Sequence, residues 1–80
     1  MELKTTTDCV NKANKLLEEA KSINNRDMHA KWWDKKVELF KTIQNALESG
    51  AFNLDARYEL HGAKYILKEG ERIAGQYLNK

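Results

Sequence analysis

The chain has 80 residues, of which 41% are hydrophobic and 32% charged, and its formal net charge is +2. This length corresponds to one domain, residues 1–80, and so small a charge does not by itself predict a polyanionic partner. The single cysteine excludes an intrachain disulfide, and no segment resembles a signal peptide or a membrane span. We therefore expect a cytoplasmic protein without a membrane partner.

The first predicted helix runs from about Thr6 to Ile23. Its apolar residues recur at steps of three and four and form one stripe: Cys9, Ala13, Leu16, Leu17, Ala20 and Ile23. Polar residues 5–8 offer a hydroxyl cap and an early acid, which favour a helix start. The pattern predicts an ordinary amphipathic helix.

The second predicted helix covers residues 28–48. Asp27 is its expected N-cap, and Gly50 allows the left-handed conformation that ends many helices. Its apolar residues are bulky and share one wide arc, with Trp33 at the margin: Met28, Trp32, Leu39, Phe40, Ile43, Ala46 and Leu47.

The third predicted helix covers residues 53–78, with Asn53 as its cap. Its apolar arc contains many small residues: Ala56, Leu60, Ala63, Leu67, Gly70, Ala74, Tyr77 and Leu78. This shallow face is expected to receive the large Trp32 and Phe40 side chains of the second helix. We expect the helix to continue through Gly70, because the apolar residues stay in phase on both sides of it.

Both connections between predicted helices are only a few residues long, which makes consecutive helices antiparallel neighbours. We therefore predict an all-α fold, either a small antiparallel three-helix bundle or a three-helix unit completed by dimerisation. A domain of this size gains little stability from its own core, and the sequence has no Cys/His spacing for a zinc site. Self-association would add buried area, so we predict a homodimer or higher oligomer.

The cysteine, histidine and glutamate residues of this sequence form no recognisable catalytic or metal site. Cys9 lies on an apolar stripe without a nearby histidine, so we expect a small buried hydrophobe. The step from Glu59 to His61 turns the side chains about 200° apart, unlike the Glu-x-x-His pairs of di-iron bundles. His29 is expected to be a boundary residue beside Trp33. The sequence predicts a protein that is not an enzyme and binds no cofactor or metal.

Five basic side chains share one face of the third helix, opposite its apolar arc, and two tyrosines flank them: Arg57, His61, Lys64, Lys68 and Arg72, with Tyr58 and Tyr65. Like charges at these steps repel each other, whereas a row of cations with adjacent rings suits phosphates and bases. The simpler interpretation is a solvated face whose repulsion is relieved by Glu69 and Glu71.

The sequence matches a helix-turn-helix motif only in part. Ala46 and Gly50 stand four apart, as alanine and glycine do in that motif. However, Asn45, Ser49 and Glu59 occupy positions that the motif fills with apolar side chains. The sequence does not predict specific groove reading, and nonspecific contact with a polyanion or nucleotide stays open.

Lys36 interrupts the apolar arc of the second helix, four residues after Trp32 and three after Trp33. Its ammonium must reach solvent, pair with an acid or lie over an indole ring. If this end of the helix is incompletely covered, Trp32, Trp33 and Lys36 form a protein-binding surface, because tryptophan is a favoured interface anchor. The alternative is a peripheral core lysine lying across a tryptophan.

The preferred hypothesis from the sequence is a non-enzymatic protein–protein interaction module that binds another protein or a second copy through Trp32, Trp33 and Lys36. The excess of lysine over arginine and the frequent asparagine are typical of AT-rich genes, as in a small accessory or inhibitory protein of a phage or bacterium. The alternative hypothesis is a binder of nucleic acid or another anionic ligand through the basic face of the third helix.

Overall fold

The computed structural model describes the backbone of residues 2–79 and the side chains of residues 6–78. This part of the chain contains helices α1 (Glu2–Ala20), α2 (Arg26–Ser49) and α3 (Leu54–Ala74), then a 3-10 helix (Gly75–Asn79), and it contains no strand. The three helices pack together, so the predicted all-α class is confirmed.

Two helix starts differ from the prediction. α1 begins at Glu2, so residues 5–8 lie within the helix and do not precede it as a cap. α2 begins at Arg26, and its N-cap is Asn25, whose side-chain oxygen accepts a 2.8 Å hydrogen bond from the Met28 backbone N–H. The cap moves two residues upstream because asparagine supplies the same acceptor, while Asp27 remains favourable in the first turn.

The helix ends show where the chain tightens. After Ala20 the chain leaves the α-helix through a bond from the Lys21 N–H to the Glu18 carbonyl at 3.2 Å, so α1 stops before the predicted Ile23. α2 ends as predicted at Gly50, whose φ of 68° is left-handed.

α3 has the predicted cap, because the Asn53 side chain accepts a 2.9 Å hydrogen bond from the Ala56 N–H. As expected, the helix continues through Gly70. It ends at Ala74, earlier than predicted, and the chain from Gly75 onwards tightens into the 3-10 helix.

Side-chain pairs give the helix directions. In α2, Lys36 pairs with Glu71, and the later residue Gln44 accepts from Lys64, so α2 and α3 run antiparallel. In α1, Thr6 donates to Glu59. Leu17, further along α1, lies near Gly70, so α1 and α3 run parallel. The result is an up-down-up rod of 43 × 16 × 16 Å.

The closest helix pair is α1 with α3, so the shallow face of α3 packs mainly on α1. The expected contact with α2 is confirmed for Trp32, whose ring lies against Gly70. Both helices present small buried residues, which let the backbones approach: Cys9, Ala13 and Ala20 in α1, and Ala56, Ala63, Gly70 and Ala74 in α3. α2 lies along this pair and buries the larger Trp32, Leu39 and Ile43 against it. Phe40 is only half-buried, between Lys36 and Lys64.

Candidate binding surface on the second and third helices

Trp32 belongs to the core. It is 3% exposed, and its indole Nε1 donates a 2.7 Å hydrogen bond to the Leu16 carbonyl near the end of α1. Its ring also lies against Gly70, where an added Cβ would stand 2.9 Å from Trp32 Cζ2. Trp32 thus joins all three helices, and the folded chain does not present it on the surface.

Lys36 is also satisfied inside the chain. It is 8% exposed, its ammonium pairs with the Glu71 carboxylate, and the same Nζ lies 3.9 Å from the Trp33 ring centroid. The two contacts considered for it, an acid and an indole face, therefore occur together. Its charge is used to hold α2 against α3 beside Trp33.

Trp33 alone among these three residues is exposed, at 39%. The His29 ring centroid lies 5.7 Å from that of Trp33 and 5.3 Å from that of Tyr77 in the 3-10 helix. We call His29, Trp33 and Tyr77 the aromatic cluster. The four-residue step from His29 to Trp33 was visible in the sequence, but the approach of Tyr77 depends on the packing of the 3-10 helix.

The outward side of α3 carries exposed residues at alternating steps of three and four, which we call the outer stripe: Tyr58, His61, Tyr65, Lys68 and Arg72. Tyr58 is 67% exposed and Tyr65 66%, so most of each ring contacts solvent. Arg57, also exposed, stands beside the stripe. These six residues were expected on one face, and they share it.

Lys64 differs from the other predicted anion-binding residues because it turns towards α2. Its Nζ donates a 3.2 Å hydrogen bond to Gln44 Oε1 and lies 5.2 Å from the Phe40 ring centroid. Its side chain is half-buried. Lys64 still contributes positive charge to this side of the molecule, but its direct contact with a ligand on the outer stripe is restricted.

Two of the acids in α3 pair with cations, and a third accepts from a hydroxyl that leaves its charge in place. Glu59 accepts from Thr6 at 2.9 Å on the α1 side, and Glu71 pairs with Lys36 on the α2 side. Glu69 pairs with Arg72 at 3.2 Å. Within residues 6–78, Arg57 and Lys68 have no ion pair, while Asp55 remains in the first turn of α3. The stripe with Arg57 has three Lys or Arg residues and one acid paired to it, so this face carries an excess of positive charge, although α3 as a whole has four Lys or Arg and four acids.

A concavity with a volume of about 420 Å³ lies between α1 and α2. Cys9, Leu16 and Leu39 line it, together with several charged residues of both helices. Burial raises the pKa of the Cys9 thiol, Lys12 lowers it to a smaller degree, and Asp8 raises it further. The thiol is thus protonated at neutral pH and is a weak nucleophile.

Three further observations concern the class of protein. The searched residues include no cluster of three His, Cys, Asp or Glu side chains that could hold a metal ion. None of the described helices combines the length and hydrophobicity needed to cross a bilayer. A helix-turn-helix crosses its helices at about 90–120°, whereas α2 and α3 run antiparallel along a narrow rod.

Comparisons with models of protein families, with curated proteins and with solved structures find no match to this chain.

Proposed function

We propose that this protein is a non-enzymatic binding module for an anionic macromolecule, which it binds through the outer stripe of α3 and Arg57. One observation carries the proposal. Tyr58 and Tyr65 expose about two thirds of their surface beside cations that the chain's own acids do not fully neutralise. A chain that carries negative charge together with flat or apolar groups would use both features at once.

The spacing of the cations favours a long ligand over a single small anion. Neighbouring positions on a helix face lie about 5–6 Å apart, which is less than the Debye length of roughly 8 Å at physiological ionic strength. The fields of successive cations therefore add along the helix. A chain of phosphates, sulfates or carboxylates gains from several such positions, and it releases counterions when it binds.

Anion binding, which was the alternative hypothesis from the sequence, is preferred here over protein binding through Trp32, Trp33 and Lys36. Two of the three residues in the preferred protein-binding set, Trp32 and Lys36, are buried within the monomer and have internal partners. By contrast, six of the seven residues in the anion-binding set are exposed.

Binding of fluorescently labelled heparin at about 50 mM salt tests the proposal. We expect affinity that falls steeply with added salt and that weakens in the double variant Arg57→Gln/Lys68→Gln. The control Lys12→Gln/Lys15→Gln removes the same charge from exposed positions of α1 and should retain most of the affinity. No binding at this salt, or equal loss in both double variants, would contradict a site on α3.

The aromatic cluster supports a second candidate function, protein–protein interaction. Trp33 is 39% exposed. The His29 ring lies beside it, at a centroid distance of 5.7 Å, and the Tyr77 ring lies on His29, at 5.3 Å. Partly exposed tryptophan with neighbouring aromatic area is typical of interface anchors.

Affinity capture from a host lysate, with and without nuclease, distinguishes the two candidates. Partners that persist after nuclease treatment and disappear with Trp33→Ala would support a protein interface on the aromatic cluster. Partners retained equally by the wild type and Trp33→Ala would contradict it. Partners lost on nuclease treatment would instead agree with the anionic ligand.

A further inference from the structure

We infer that the anionic ligand is a single-stranded nucleic acid whose bases stack on Tyr58 and Tyr65. This inference rests on the proposed function and names the ligand class of the same surface. Three features support it: the spacing of the two rings, the open surface at Gly62, and the position of the cations on the other side of the rings from Gly62.

The two tyrosines are placed to hold separate bases of one strand. They are seven residues apart in a continuous helix, which places them on nearly the same side and about 10.5 Å apart along the axis. Stacked bases rise about 3.4 Å each, so this distance corresponds to about three base steps. Both rings are exposed, and stacking on aromatic side chains tolerates any base.

Gly62 leaves the surface open next to both rings. It lies four residues after Tyr58 and three before Tyr65, so it adjoins both on the helix face. A Cβ built on Gly62 would meet no heavy atom within 4 Å, so packing inside the monomer does not require glycine there. The absence of a side chain gives a flat base access to the tyrosine rings and to the helix backbone.

The cations lie on the opposite side of the tyrosines from Gly62. At 100° per residue, Arg57, Lys68 and Arg72 fall on the side that faces α2, and Gly62 falls on the side that faces α1. A strand laid along α3 can therefore run its phosphates over the cations while its bases turn towards the rings and Gly62. The cations and the rings are therefore separated on α3 in the same way as the phosphates and the bases are separated in a single-stranded nucleic acid.

The same residues fit an acidic protein helix less well. Alternating steps of three and four suit helix pairing, but a helical seam requires aliphatic side chains at those steps. Between Tyr58 and Arg72 the outer stripe has only aromatic, imidazole and cationic residues. A duplex is also a poorer ligand, because its bases are paired and their faces are not available to the tyrosines.

Fluorescence anisotropy with labelled twelve-nucleotide dT and rU oligomers at about 50 mM salt tests the inference. The competitors are a twelve-base-pair duplex and polyglutamate, compared at equal total charge. We expect both single strands to bind and neither competitor to displace them at equal charge. Replacing one phosphate contact in Lys68→Gln should reduce the slope of log affinity against log salt by about 0.7, while Lys12→Gln should leave it unchanged.

Ring variants separate stacking from charge. Tyr58→Ala and Tyr65→Ala should each weaken oligomer binding by about tenfold or more, the order expected for one lost base–aromatic stack. Tyr58→Phe and Tyr65→Phe keep the ring and should bind as the wild type does. Gly62→Leu fills the open surface and should also weaken binding. Circular dichroism and thermal unfolding of each variant check that the fold is retained, as expected for substitutions at exposed positions.

The outcomes distinguish the inference from the proposed function. Oligomer binding that is unaffected by the alanine variants, or that the duplex or polyglutamate displaces at equal charge, overturns the inference while leaving an anion-binding surface. Failure of heparin and both oligomers to bind overturns the inference and the proposed function together. Binding of heparin without binding of either oligomer overturns the inference alone.

Discussion

Gly70 and Trp32 form a contact that constrains both residues. Gly70 is buried in the middle of α3, and the six-membered part of the Trp32 indole lies directly over it. The Trp32 N–H is fixed on the Leu16 carbonyl, so the ring cannot easily move aside. Glycine here serves the close approach of a ring, whereas Gly62 has no such neighbour.

Replacing each of these two glycines with alanine should therefore have opposite effects. Gly62→Ala should raise the free energy of unfolding by about 0.5–1 kcal/mol through helix propensity. Gly70→Ala gains the same propensity, but its Cβ would stand 2.9 Å from Trp32 Cζ2, and overpacking costs about 1–3 kcal/mol. Urea unfolding measures both. A stabilised Gly70→Ala variant would show that the Trp32 ring shifts at little cost.

The Lys36–Glu71 pair, which joins α2 to α3, should contribute more to stability than the Glu69–Arg72 pair within α3. Glu71→Ala leaves a buried ammonium without its carboxylate, and we expect a loss of about 1–2 kcal/mol, since the half-exposed Glu71 is partly screened by water. Glu69→Ala removes an exposed pair and should cost at most about 0.5 kcal/mol.

A double variant provides the control for that comparison. Lys36→Met combined with Glu71→Ala removes the uncompensated charge and should recover most of the lost stability, because buried ion pairs are often replaceable by apolar residues. Equal unfolding free energies for Glu71→Ala and Glu69→Ala would indicate that water already compensates the Lys36 charge.

At the level of the elements, the two asparagine caps set where α2 and α3 begin. Each accepts a hydrogen bond from the backbone N–H three residues later, Met28 for Asn25 and Ala56 for Asn53. The acid in the first turn of α2, Asp27, has a different role, since it pairs with Lys31 at 3.5 Å on the exposed surface. Capping and charge are thus divided between neighbouring residues.

This division predicts different costs for two substitutions at the start of α2. Asn25→Ala removes the side chain that caps α2 and should lower the free energy of unfolding by about 1 kcal/mol. Asp27→Ala loses a favourable interaction with the helix dipole and an exposed ion pair, and should cost about 0.3–0.8 kcal/mol. Thermal or urea unfolding of both variants checks the order. A larger loss for Asp27→Ala would assign the cap to Asp27.

For the whole molecule, the arrangement follows from which surfaces can approach most closely. Small residues on α1 and α3 bring those two helices together, and the bulkier α2 fills the groove that remains. The rod is only 16 Å across, so each helix keeps a long side in solvent. That exposure provides the outer stripe and the aromatic cluster, and it leaves room for self-association.

Self-association remains a prediction from the size of the core. We expect a mass in solution that is a multiple of 9.3 kDa, together with an unfolding temperature that rises with protein concentration. If the aromatic cluster forms the contact, Trp33→Ala should lower the mass without reducing helicity. Light scattering and circular dichroism measure these quantities. A mass of 9.3 kDa at every concentration would contradict the predicted oligomer.

The sequence predicted those features that depend on single helices. The apolar arcs, the Asn53 cap, the Gly50 end of α2 and the continuity through Gly70 all follow from local periodicity or local conformation. The shared face of the basic residues and Tyr58 and Tyr65 was predictable for the same reason. The start of α2 was placed incorrectly because Asn25 and Asp27 are equally good caps when judged locally.

Contacts between helices were decided only by the tertiary structure. Trp32 and Lys36 lie on the same arc as Trp33, and periodicity alone could not say which of them another helix covers. Glu71 and Leu16 bind Lys36 and Trp32 from other helices, while Tyr77 lies beside His29, and only packing brings these residues together. The amino-acid order by itself determined three amphipathic helices and their charged faces, because helical geometry repeats locally. Which faces remained in water depended on how closely the small-residue surfaces of α1 and α3 could meet.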